Sequence, residues 1–295
     1  MVTSRIEDRP FTAIVMVLGA MFVFVSTDGM AKYLTDTLSA QQIVWIRYTI
    51  ILLLILPVVF RRISGLRTQR PILHLFRGLA LTGASIFFVF SLETLPLELA
   101  TAIGFVAPLY VTVLSIVFLK EKVGIRRWAA VGFGFIGVLI IVRPGTTAFQ
   151  STMLFPLVSA LCWASGLIIT RFMKGSELPL VILFYSSLVG CVASAPLVFP
   201  VWIEPTNSQW ILLISLGVLN AVGQYLIIRA FLLASASLLA PFSYFSIVWA
   251  TLIGAIVFGT FPDIATVVGT SVLIGAGLYV WHRERVRAGV TSYRR

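Results

Sequence analysis

Few side chains in this sequence could do chemistry, and most of those stand inside long apolar runs. Asp28 and Arg47 come first. Each lies about two helical turns from the outer end of its run, which at ~1.5 Å per residue puts both roughly 10 Å deep on one side. Charges at such depth are costly and are functional candidates by default. The two could neutralise each other as an internal ion pair. Alternatively, the carboxylate could take up a proton or anchor a substrate, and both readings stay open. Lys32 is one turn nearer the outer end, where its amine either snorkels to the headgroups or faces an outer vestibule. Arg77 and Arg229 stand near the inner ends of their runs, with the same choice between snorkelling and a part in gating or coupling.

Uncharged groups suit a flat organic ligand better. Asn220 and Gln224 are four residues apart and share one helix face. Trp163, Tyr110, Tyr244 and Trp249 lie within apolar runs. Each is either core packing or a surface on which a ring can stack, with the amides bonding its edge. No phosphate-binding G-x-x-x-x-G-K-[ST] loop occurs, so ATP-driven pumping by this chain is disfavoured. There is no H-E-x-x-H motif, no Cys/His cluster and no G-x-S-x-G elbow. Cys162 and Cys191 read as small buried hydrophobes. No metal, no cofactor and no enzymatic activity are expected.

The elements that position these groups follow from composition. The chain has 295 residues, 59% hydrophobic and only 11% charged. A water-facing surface needs about 25% charged residues, so the surrounding solvent must be lipid. The mean hydropathy of +1.02 agrees. The net charge of +11 does not indicate nucleic acid, because the charges sit in short loops between apolar runs. The first run is too long for a signal peptide and reads as a retained helix.

Ten spans are predicted, at 12–34, 40–60, 72–92, 97–119, 128–143, 152–171, 178–200, 208–232, 237–258 and 264–281. With the N-terminus inside, the inner segments hold 17 Lys and Arg and the outer loops hold one, Arg143. That bias places both termini in the cytoplasm of an all-α integral membrane protein.

A constant offset of 139 relates the two halves of the chain. It aligns Ser26 with Ser165, Pro57 with Pro196, Gly78 with Gly217, Phe105 with Tyr244 and Thr112 with Thr251. The halves are therefore 12–143 and 152–281, with tails at 1–11 and 282–295. Five spans per half make the second half enter from the opposite side. Such inverted-topology repeats are a common construction of secondary transporters. Gly132, Gly134 and Gly137, with Gly269, Gly275 and Gly277, allow close helix approach. The contact they form lies between the halves or between two protomers of a homodimer.

Several passages carry a family resemblance. They are Leu95-Pro96-Leu97, Ala100-Thr101-Ala102, Pro108, Phe118-Leu119-Lys120-Glu121-Lys122 and Ile141-Val142-Arg143-Pro144. In the second half Pro241, Tyr244 and Phe258-Gly259 match, while Ile247 and Thr260 stand where the pattern has Pro and Glu. The sequence resembles the ten-helix drug/metabolite transporter superfamily in its EamA branch. That resemblance implies alternating access around a cavity between spans 1, 3, 4, 6, 8 and 9, in a bacterial inner membrane. Trp45-Ile46-Arg47-Tyr48 and Phe76-Arg77-Gly78 are similar to members assigned to riboflavin or S-adenosylmethionine uptake. Riboflavin uptake is the first expectation. S-adenosylmethionine uptake, or export of amino-acid-like metabolites or drugs, is the alternative.

Overall fold

A computed structural model describes residues 10–60, 68–119, 125–173, 176–234, 239, 242–243 and 245–292. Among them the regular structure is helical throughout, with no strand. A backbone in hydrocarbon must satisfy its own polar groups, and an apolar helix does so within one segment.

The α-helices in chain order are α1 (Pro10–Leu34), α2 (Ala40–Phe60), α3 (Pro71–Thr94), α4 (Leu97–Gly104), α5 (Ala107–Leu119) and α6 (Ile125–Val142). In the second half come α7 (Leu154–Phe172), α8 (Pro179–Val198), α9 (Asn207–Leu233), α10 (Phe245–Ile253) and α11 (Ile264–Ser292). Seven helical stretches among the described residues are long and apolar enough to cross a bilayer, and three shorter apolar helices accompany them. Large apolar side chains such as Phe11, Ile211, Ile256 and Ile264 point outward, as a lipid-facing surface requires.

Three predicted spans differ from what is observed. The fourth breaks at Phe105–Val106 into α4 and α5. Pro108 lacks an N–H and sits in the first turn of α5, where no intrahelical donor is needed. In the ninth, α10 passes into a π-helical turn at Gly254–Phe258, closed by Gly259 at φ 65°. The tenth continues helically to Ser292, beyond the predicted end at 281.

Packing repeats across the halves. Helix α1 packs on α9, and α3 packs on α7. Exchanging the halves turns one contact into the other. The same exchange relates α3 on α8 to α2 on α9, and α5 on α7 to α1 on α10, while α2 on α8 and α6 on α11 map onto themselves. Gly78 lies so close to Val189 that a Cβ would collide with it, and Gly217 lies so against Ile50. Both partners of the first contact differ from those of the second by the 139-residue offset. Gly137 and Gly269 also face each other, each backbone against the other's carbonyl oxygen, so this pair packs α6 on α11 within one chain.

Candidate functional site

Between the halves lies a cavity of about 210 Å³. Its walls come from α1, α3, α4, α5, α7, α9 and α10, with Arg47 reaching in from α2. Fourteen of the lining residues form mirror pairs at the offset of 139. They are Met21 with Ala160, Phe24 with Trp163, Asp28 with Leu167, Ser85 with Gln224, Phe88 with Ile227, Gly104 with Ser243, and Ala107 with Ser246. The cavity thus sits where the two halves meet on equal terms. Its chemistry is nevertheless unequal, because charge lies on the first-half side and two amides on the second.

Phe24 and Trp163 meet each other edge to face, with ring centroids 5.7 Å apart. Gly223 leaves room for the Phe24 ring, which a Cβ there would strike. The Asp28 carboxylate is 3.9 Å from an Arg47 terminal nitrogen. Arg47 is 5% exposed, and its Nε and Nη2 have no hydrogen-bond partner. Gln224 is buried too, and its Oε1 likewise has no partner. Asn220 is buried on the same face one turn earlier. Ser85 is within 3.2 Å of the Tyr48 hydroxyl.

Of the residues singled out in the sequence, Asp28, Arg47, Trp163, Asn220 and Gln224 line this cavity. Tyr110 and Trp249 do not. Tyr110 packs against the core, and Trp249 sets its ring against Phe22 at 4.8 Å. Tyr244 lies outside the described residues. The Lys32 amine donates to the Leu92 carbonyl at 2.6 Å, near the end of α3. Arg77 is 1% exposed and does not snorkel. Its Nε donates to Thr170 at 2.7 Å and a terminal nitrogen donates to Ser186, which ties α3 to α7 and α8. Arg229 is half-buried on α9 and is not part of the lining.

Phe24, Ser85, Phe88 and Phe105 line the cavity and were not among the expected residues. The signal for three of them was present. Subtracting 139 from Trp163, Gln224 and Tyr244 gives Phe24, Ser85 and Phe105.

A second carboxylate, this one buried, lies near the cavity. Glu98 on α4 is 5% exposed and accepts a hydrogen bond from the Thr260 hydroxyl at 3.1 Å. Gly254 admits it, since a Cβ there would lie 2.6 Å from Glu98 Oε2. This contact joins α4 of the first half to the turn after α10 of the second. Thr101, one turn along α4 from Glu98, lines the cavity. Among the described residues no group of acids, His and Cys could hold a metal ion.

A membrane-embedded helical duplication around one central cavity defines the class. The chain belongs to the EamA-like transporter family, whose pattern matches residues 11–143 and again 150–281. It is therefore a multi-pass membrane protein of a transporter family. It is 31% identical to an S-adenosylmethionine uptake transporter of Rickettsia bellii, over 88% of this chain and 90% of that one. It is 28% identical to a riboflavin transporter of Vibrio cholerae, over 96% of this chain and 97% of that one. A solved crystal structure with 20% identity superposes at a TM-score of 0.66, covering 90% of this chain and 94% of that chain, and supports the fold.

Proposed function

We propose that the chain is a ten-span secondary transporter, with both termini cytoplasmic, that brings a heteroaromatic metabolite across a bacterial inner membrane by alternating access. The observation that carries this reading is the mirrored cavity with the Phe24–Trp163 pair within it. Two halves of opposite orientation can rock about a site that both line, exposing it first to one side and then to the other. Aromatic walls receive a flat ring, and Asn220, Gln224 and Ser85 can bond its polar edge. The names of the relatives support a cargo of this shape. S-adenosylmethionine and riboflavin each join a nitrogen heterocycle to a polar tail.

Proteoliposomes holding the purified protein test the reading with labelled S-adenosylmethionine and labelled riboflavin. Saturable uptake of one of them is expected. Trp163→Ala should reduce it by on the order of 10-fold, about what an aromatic stacking contact contributes. Absence of saturable uptake for both would sink the proposal.

A further inference from the structure

We infer that the cargo carries an α-amino-acid head, with its carboxylate seated on Arg47 and its ammonium on Asp28. This rests on the transport reading above and selects a substrate class within it: a nucleoside-like ring bearing a zwitterionic tail, as in S-adenosylmethionine, rather than an uncharged flavin.

The Asp28–Arg47 pair is too loose to be complete by itself. Arg–carboxylate pairs that serve structure are often bidentate, at about 2.7–2.9 Å. Here the approach is 3.9 Å, and Arg47 Nε and Nη2 bond to nothing although the side chain is 95% buried, at 5% exposure. Unsatisfied donors of a buried guanidinium cost several times more than those of a neutral group. Their planar fork matches a carboxylate. Asp28 is 21% exposed, lines the same cavity, and has no hydrogen bond to its carboxylate among the described residues. An ammonium entering beside the incoming carboxylate would complete both partners together.

The local charge argues against other anions. A phosphate would bring two negative charges against Arg47 while Asp28, 3.9 Å from that guanidinium, repels them. A zwitterion adds no net charge to a site that has none. The rest of the cavity supports a polarised cargo. The mirror positions of Asp28 and Arg47 are Leu167 and Ser186, so the second-half side presents neither charge. It presents Gln224, whose unpartnered Oε1 can accept from an exocyclic amine on the ring. A cationic centre between head and ring would meet the aromatic faces of Phe24, Trp163 and Phe88. An uncharged flavin offers the Arg47 donors only carbonyl or hydroxyl oxygens and no countercharge.

Binding to the purified full-length protein in nanodiscs tests the assignment. The probes are S-adenosylmethionine, its decarboxylated form, 5′-methylthioadenosine, which lacks the whole amino-acid head, and riboflavin. Loss of the carboxylate should weaken binding on the order of 10- to 100-fold, the size of a charged hydrogen-bonded contact. Arg47→Gln should abolish that difference between the first two probes. Because Arg47→Gln leaves Asp28 uncompensated, Asp28→Asn with Arg47→Gln serves as the second variant, and it should show the same loss of discrimination. Equal binding of S-adenosylmethionine and methylthioadenosine by wild-type protein would overturn the assignment. So would riboflavin binding that exceeds both. In either case saturable uptake in proteoliposomes would leave the transport reading standing, whereas its absence for every probe would fell that reading as well.

Discussion

Asp263 stands outside the apolar layer, where it accepts from the Thr266 backbone N–H at 2.8 Å and pairs with Arg143. The bonds from Thr266, with the Arg143 guanidinium beside them, hold its carboxyl below the usual carboxylate range. A group whose folded pKa is depressed stabilises the fold above its unfolded value, about 3.9 for Asp, and that stability is lost as pH falls through the folded value. Asp263→Asn should therefore lower the melting temperature slightly at pH 7, where the contribution is present in full, and change little at acid pH, where the wild type has already lost it, so the acid side of the melt profile flattens. Arg77 presents the opposite case. Its hydroxyl acceptors already donate to carbonyls of their own helices, Thr170 to Gly166 and Ser186 to Ile182. Removing the guanidinium orphans no donor. Arg77→Met should shift stability by less than about 1 kcal/mol, because a buried charge replaced by an apolar group of similar volume is often neutral. Arg77→Ala should cost roughly 2–4 kcal/mol through the void it leaves. Melting in detergent measures both. The Asp28–Arg47 neighbourhood was legible in the sequence because helical rise fixes depth. The surroundings of Arg77 were not, since serines and threonines that bond back to their own helix leave no sequence mark when they also face a cation.

Among elements, the interrupted helices carry the site. The fourth predicted span breaks at Phe105–Val106, and the ninth loosens into a π-turn at Gly254–Phe258. Glu98 and Thr260 connect these two spans. Thr260→Val should lower the melting free energy by about 1–3 kcal/mol, as an orphaned buried acceptor does, and Thr260→Ser should restore it. Gly254→Ala should cost more, because its methyl displaces the Glu98 carboxylate rather than unbonding it. Chain periodicity located the long helices well, since an apolar run of the right length has few alternatives in lipid. It could not locate the cavity-facing side, because helices that are apolar all round give no stripe to read. The mirror offset supplies what periodicity lacks. Gly78→Ala and Gly217→Ala should destabilise by similar amounts, about 1–3 kcal/mol each, since each meets a branched side chain at the equivalent place.

For the whole molecule, the bias of 17 inner cations against one outer makes a topological prediction. A fluorescent reporter fused to the C-terminus should fold and fluoresce, and a periplasm-dependent phosphatase fused there should be inactive. The reverse result would reject the cytoplasmic placement of the C-terminus, and a reporter placing the N-terminus on the opposite side from the C-terminus would reject an even span count. The matched contacts Gly78–Val189 and Gly217–Ile50 already tie the halves to one register.

The Glu98–Thr260 contact sets the two halves apart. At the shared offset, the first-half counterpart of Thr260 is Glu121. A protein assembled from two copies of the first half would set an acid against Glu98 where a hydroxyl now donates to it. Two carboxylates that close repel strongly or must share a proton. The hydroxyl at 260 relieves that conflict, so this joint is one that two copies of the first half would not make in the same way.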